Sequence, residues 1–232
     1  MSFPAKSVLP QACFRAILLL ALLSLVAVPG PASAGQELLD DFSKYEDGSF
    51  PSGWKVRAEN PHTTYLVRKK EGGYLEAKSN GDEAIQIGKG IVYLLSEYPK
   101  LSWEWRVVKL PKGGNETNKK TADSAAALYV ILDGKGINKK WPRTIKYVWS
   151  ASQPKGSRLG SPYDRKTKMV ILQNQETPLN TWVKEKVDVL KDLEEFFPKD
   201  KGKVRGIAFM TDSDNTKSST EAHIKNIIIS SD

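Results

Sequence analysis

The stretch that most restricts how this chain can fold runs from residue 101 to residue 132. Over 101–108, Trp103, Trp105 and Val107 alternate with Ser102, Glu104 and Arg106. Successive side chains of a β-strand point to opposite faces, so this is a strand with one apolar and one polar face. A long polar loop covers 109–124. Residues 125–132 are then apolar on both faces, as expected of a strand near the middle of a packed sheet. Two adjacent strands with a large loop between them predict the centre of a β-sandwich.

Further strands are expected over 38–42, 54–56, 64–70, 74–78, 84–91, 144–149, 168–173, 181–189, 204–210 and 222–230. Glu71-Gly-Gly73 joins two of them as a hairpin turn. Only 189–197 has helical spacing: Val189, Leu193 and Phe196 share a face, and Pro198 stops the helix. The predicted fold is all-β: an antiparallel two-sheet sandwich, jelly-roll-like, with one short helix near 189–197. By the habit of such folds the first and last strands are neighbours. No internal repeat or linker divides residues 35–232, which are expected to form a single domain.

Residues 1–34 read differently. Lys6 and Arg15 precede a 13-residue run, 16–28, that is apolar except for Ser24, and Pro29-Gly30 and Ala32-Ser33-Ala34 follow. That order predicts a secretory signal peptide cleaved before Gly35. The run is shorter than the ~20 residues a membrane span needs, so no span is expected after cleavage. The only cysteine, Cys13, goes with the leader, which leaves no disulfide or thiol chemistry in the mature chain. The 198 residues that remain are enough for one sizeable core.

Removing the two basic residues of the leader leaves 33 basic against 27 acidic residues, a net charge of +6. The lysines are spread along the chain, which suits solubility and some affinity for anionic polymers. Neither an RNA-binding aromatic motif nor a zinc-finger spacing is present, so no nucleic-acid partner is expected. His62 and His223 have no neighbouring ligands at zinc spacing, and no Gly-x-Ser-x-Gly elbow is found.

Four motifs occur in order: Tyr98-Pro-x-Leu-x-Trp-x-Trp-Arg106, Ile145-Lys-Tyr-Val-Trp-Ser150, Trp182-Val-x-Glu-x-x-Asp188 with Asp192, and Gly206-x-Ala-x-Met-Thr-Asp-Ser-Asp-Asn-Thr216. Together they resemble a bacterial family of exported proteins catalogued only as a domain of unknown function. The resemblance implies a periplasmic or secreted bacterial protein whose β-sandwich is similar in shape to carbohydrate-binding modules. It carries no activity with it. The chain departs from the family's pattern over 125–130, where an Arg is usual, and at Asn226, where an Asp is usual.

Three constellations stand out as candidate sites. Asp212, Asp214 and Asn215 supply closely spaced hard oxygens, which suits Ca²⁺; the alternative is an Asx-rich turn capping its own backbone. Arg106, Lys146 and Glu185 sit in strands, and alternation puts Lys146 and Glu185 among apolar neighbours, where a charge must be paired. Lys146–Glu185 or Arg106–Glu104 are the expected ion pairs. If the protein is instead an enzyme, Glu104, Lys146 and Glu185 are its candidate acid and base groups. Of the aromatic residues, Trp103 or Trp105 is expected inside, with Trp149 or Trp141 exposed for ligand contact.

The expected function is non-catalytic glycan or polysaccharide binding through Arg106, Lys146, Trp149, Asp212, Asp214 and Asn215. A glycan-acting hydrolase or lyase is the alternative, and an envelope scaffold or partner-binding domain the second. Cofactors are expected to be none, or calcium at Asp212 and Asp214. Oligomeric state is not legible in the sequence.

Overall fold

The computed structural model describes residues 35–56, 64–82, 86–134 and 142–232. The expected leader, His62, Trp141 and the start of the strand expected at Ala84 lie outside them. Among the described residues thirteen strands occur in the order β1 (Gln36–Asp40), β2 (Trp54–Val56), β3 (Thr64–Arg68), β4 (Tyr74–Ser79), β5 (Ile87–Leu94), β6 (Lys100–Lys109), β7 (Ala126–Leu132), β8 (Thr144–Trp149), β9 (Arg158–Gly160), β10 (Thr167–Gln173), β11 (Val183–Asp188), β12 (Lys203–Met210) and β13 (Thr220–Ser230), with helix α1 (Val189–Phe196) between β11 and β12.

They form two sheets. The first runs β11-β6-β13-β4-β3, with β1 also paired to β13; the second runs β2-β5-β12-β7-β8-β10-β9. The expected first-to-last pairing is present: β1 runs antiparallel to β13 from Gln36↔Ser230 to Asp40↔Ile227. The two strands of the 101–132 stretch do not pair with each other. β6 lies inside the first sheet and β7 inside the second, so the long loop between them crosses the sandwich.

One ladder departs from the antiparallel expectation: β8 and β10 are parallel. Parallel neighbours need a connection of a dozen residues or more, and residues 150–166 supply it, with β9 inserted as the antiparallel partner of β10. No sequence signal marked β9, which is three residues long.

The alternation of β6 is realised in the core. Leu101, Trp103, Trp105 and Val107 point between the sheets, where they meet Leu128, Val130, Tyr147, Trp149 and Phe209 of the second sheet. Trp105 packs edge-on against Trp103 at 5.2 Å and against Trp149 at 5.8 Å. The outer face of the second sheet is also covered: Ala127, Val148, Met169 and Ile171 form a separate buried cluster with Tyr129 and Leu159 packed on it. This is why β7 and β8 are apolar on both faces.

Helix α1 starts at Asp188, whose side chain accepts from the Lys191 backbone N–H, and it buries Val189 and Leu193. In the hairpin between β3 and β4, Gly73 (φ 103°) lies so close to Ser43 that a Cβ would come within 2.9 Å of the Ser43 Cα. The position is therefore closed to any other residue. Asn226 (φ 52°) sits where β13 slips register against β6. Asn adopts this left-handed conformation more readily than most residues, and its amide donates to Glu104 Oε1 at 2.8 Å.

Candidate functional site

The outer face of the second sheet holds a charged cavity. Tyr129 of β7 and Lys146 of β8 are directly opposite one another in the ladder, so both point outward. Residues 109–125, the turn after β12 and the loop between β9 and β10 fold over them. The result is a cavity of about 200 Å³ whose lining includes Glu116, Tyr129, Lys146, Tyr163, Met210 and Asp212.

Lys146 is only 7% exposed. Its Nζ donates to Ser124 Oγ at 3.0 Å and sits 5.4 Å from the centre of the Tyr129 ring. Asp212 is 5% exposed and tethered to the same loop, its backbone N–H donating to the Ser124 carbonyl at 3.0 Å. Glu116, 1% exposed, accepts from Ser150 Oγ at 2.6 Å through Oε2; its Oε1 has no hydrogen-bond partner among the described residues. Tyr163 spans the mouth, with its hydroxyl 3.2 Å from both the Lys119 carbonyl and Asn215 Oδ1.

Burial alone would pull Lys146 down, but Tyr129, Glu116 and Asp212 hold it above its ordinary range. Burial pushes Asp212 up to about 8; Asp123 and Asp214 add to this, and Lys146 opposes it. Burial likewise raises Glu116 and Tyr129. Near neutral pH the cavity therefore holds a charged ammonium, a neutral phenol and a largely protonated Asp212. Such a group can donate hydrogen bonds and give up a proton, whereas a lysine held protonated is not a base.

Asp212 ties stability to pH. A carboxyl with a higher pKa folded than unfolded (3.8) holds its proton more tightly in the native state. Its contribution is therefore full below about pH 4 and lost as pH rises towards about 8. Asp212→Asn should remove this slope. Measured as the difference in unfolding free energy, wild type should lose ground to the variant between about pH 5 and 8; a pH-independent difference would contradict it.

The Asp-rich turn is tied together by Asp123, which sequence reasoning passed over. Its Oδ1 accepts from the Asn215 backbone and side-chain amides, both at 3.1 Å, and its Oδ2 from Thr216 N and Oγ1 at 2.8 and 2.5 Å. Asp214 accepts from Asn215 Nδ2 at 2.7 Å. Asn215 is thus occupied in holding the turn. Asp123, Asp212 and Asp214 place ligand oxygens within 4.8 Å of one another, as do Glu76, Glu221 and His223 with theirs, so either group could hold a metal. In the first group Asp123 already accepts four hydrogen bonds, the full capacity of a carboxylate.

The three candidate catalytic groups do not converge. Lys146 faces outward from the second sheet. Glu185 is opposite Trp103 in the β11–β6 ladder and turns inward at the sheet edge, where it accepts from Trp105 Nε1 at 3.1 Å and Gln173 Nε2 at 2.8 Å. Glu104 lies on the outer face of the first sheet with Asn226. Neither expected ion pair forms as drawn: Lys146 has Asp212 and Glu116 for neighbours, and Arg106 pairs with Glu71 at 3.1 Å.

Arg106 also stacks on Trp182 at 4.5 Å and Tyr74 at 5.1 Å, and donates to His223 Nδ1 at 2.9 Å. His223 must be neutral to accept that bond, and burial, with Arg106 beside it, lowers its pKa. Trp149, expected to be exposed, is fully buried with Nε1 donating to the Asn174 carbonyl at 3.1 Å. It cannot touch a ligand, because residues 150–166 return over the outer face and the inner face is core.

Glu116, Ser124, Tyr129 and Tyr163 were not singled out from sequence. Glu116 lies within Asn115-Glu-Thr117, a chance match to a glycosylation acceptor. Tyr163, 56% exposed in a Ser/Gly/Pro-rich loop, was the one legible signal.

The family 29 module CBM29_1 from Piromyces equi is similar at 10% identity and TM-score 0.41, over 86% of this chain and 92% of that one. The family 11 module from Clostridium thermocellum, in complex with a β-1,3-1,4-mixed-linked tetrasaccharide, is similar at 15% identity and TM-score 0.42, over 85% and 96%. The xyloglucanase domain of NopAA from Sinorhizobium fredii, in complex with cellobiose, is similar at 12% identity and TM-score 0.44, over 87% and 100%. No curated protein matches the sequence. Residues 52–228 match the family described as "Protein of unknown function (DUF3047)", and the chain belongs to that family.

Proposed function

We propose that this is an exported bacterial protein, periplasmic or secreted, whose domain over 35–232 binds a polysaccharide without cleaving it. The observation that carries the reading is the cavity itself. It is open to solvent, it is walled by Tyr129 and Tyr163, and it is floored by buried polar groups that are mostly fixed by neighbours. Aromatic walls with a few fixed polar groups are the usual make-up of a small-molecule site. At about 200 Å³ the cavity is below the ~300–1,000 Å³ of typical ligand pockets, so it takes one sugar residue or a chain end.

The test is thermal unfolding of residues 35–232 against a panel of polysaccharides, since a ligand that binds only the native state raises the midpoint. One class should raise it. Tyr163→Ala, at an exposed position, should abolish the rise while leaving the ligand-free midpoint within about 2 °C. If no polysaccharide shifts the midpoint, the reading is wrong. Calcium belongs in the same titration. With Asp123 spent on the turn, neither EDTA nor calcium is expected to move the midpoint. A calcium-dependent rise lost in Asp212→Ala with Asp214→Ala would instead assign the ion to those residues.

One observation favours a second reading, a glycan hydrolase: Asp212 keeps its proton near neutrality, as a general acid must. Release of reducing ends from the bound polysaccharide would establish it.

A further inference from the structure

The cavity carries more acid than its one resident cation neutralises. Glu116, Asp164 and Asp212 line it and Lys146 is the only lysine or arginine among the described lining residues, while Asp123 and Asp214 bring carboxylate oxygens within 4.8 Å of that of Asp212. Lys146 is already committed to Ser124 and the Tyr129 ring. Glu116 Oε1 is buried and has no hydrogen-bond donor among the described residues. Tyr129, Tyr163, Met169 and Met210 supply the remaining walls. Carboxylates set among aromatic and thioether side chains make an environment that favours a positively charged group.

We propose that the cavity selects a sugar bearing a protonated amine, with the ammonium placed between Glu116 and Asp212 and the ring against Tyr163. This rests on the glycan-binding reading above and names the class of glycan. Lys119, Lys120 and Arg165 are exposed on the loops that Tyr163 joins across the mouth. They repel a densely charged polymer, so the amine enters on a short or sparsely aminated chain. The ammonium replaces the proton that Asp212 otherwise carries, and binding releases a proton to solvent. The charged and titratable groups facing Asp212 are Lys146 on β8, Tyr129 on β7, Tyr65 on β3, Glu116 and Asp123 on the β6–β7 loop, Tyr163 and Asp164 on the β9–β10 loop and Asp214 on its own turn.

Three β-1,4-linked disaccharides separate the outcomes by calorimetry at pH 7: that of glucosamine, its fully N-acetylated counterpart, and cellobiose. The glucosamine disaccharide should bind at least about tenfold more tightly than the other two, the worth of one hydrogen bond to a charged group. Its heat should vary with the ionisation enthalpy of the buffer, as proton release requires. Asp212→Asn and Glu116→Gln should each bring its affinity down to that of cellobiose. Asp212→Asn mimics the protonated group already present, so folding should be retained, and the unfolding midpoint checks it. If cellobiose or the acetylated sugar binds as tightly as the amine, the amine inference fails and the module reading stands. If the amine binds and Asp212→Asn changes nothing, the assigned site is wrong. If spermidine binds and no disaccharide does, the acid cavity is a cation site and the amine-sugar inference fails. If nothing binds, that inference also fails, and the polysaccharide panel above decides the glycan reading separately.

Discussion

Lys146→Met is expected to cost about 3–5 kcal/mol of stability, measured by denaturant unfolding at pH 9, where Asp212 has given up its proton, because removing one partner of a buried charged pair strands the other. The Lys146 ammonium is the one cation among Glu116, Asp123 and Asp212. Methionine fills much of the same volume, so the loss reads charge rather than a void. Without the ammonium, Asp212 should titrate higher than about 8, visible as an upward move of its carboxyl resonance. The double variant Lys146→Met, Asp212→Asn should recover part of the loss, since neighbours in one network do not add. Full additivity would mean that the two side chains do not interact.

Trp105→Ala should destabilise the fold by about 3–5 kcal/mol, the range for deleting a large buried aromatic. The ring is wholly enclosed, touches Trp103 and Trp149, and donates to Glu185. Trp105→Phe separates the two contributions. It keeps most of the apolar contact but removes the donor, leaving Glu185 with Gln173 alone on the same oxygen. About 1–2 kcal/mol is expected for this change, the cost of one lost bond to a charged acceptor together with a small void. If the Phe variant loses as much as the Ala variant, the Glu185 bond matters more than the packing.

Much of the fold was legible because strand alternation is a local signal. Trp103, Trp105 and Val107 point inward as their spacing requires. The first-to-last pairing came from fold habit, and the helix from the spacing of Val189, Leu193 and Phe196. What alternation cannot report is whether the outer face of a sheet is wet. Lys146 reads as a charge among apolar neighbours, and Trp149 as an exposed aromatic, because nothing local announces that residues 150–166 return as a parallel crossover. The candidate site was legible only in part for the same reason. Lys146 and Asp212 were visible as polar groups in unusual settings. Their neighbours Glu116, Ser124 and Tyr163 come from loops that meet only in three dimensions, and loop meetings leave no period in a sequence.

The pairing of β1 and β4 along one side of β13, with β6 on the other, also sets the order of events in folding. The strand in the middle of the first sheet is the last one made. Until residue 230 is available, β6 and β11 on one side and β3 and β4 on the other have no shared ladder, and β1 has no partner. The sheet therefore closes only once β13 is available, through contacts of very long sequence separation, the class that folds in milliseconds to seconds rather than microseconds. A chain cut before β13 has no route to this sheet, because the ladders on both sides of its middle seam would lack their shared strand.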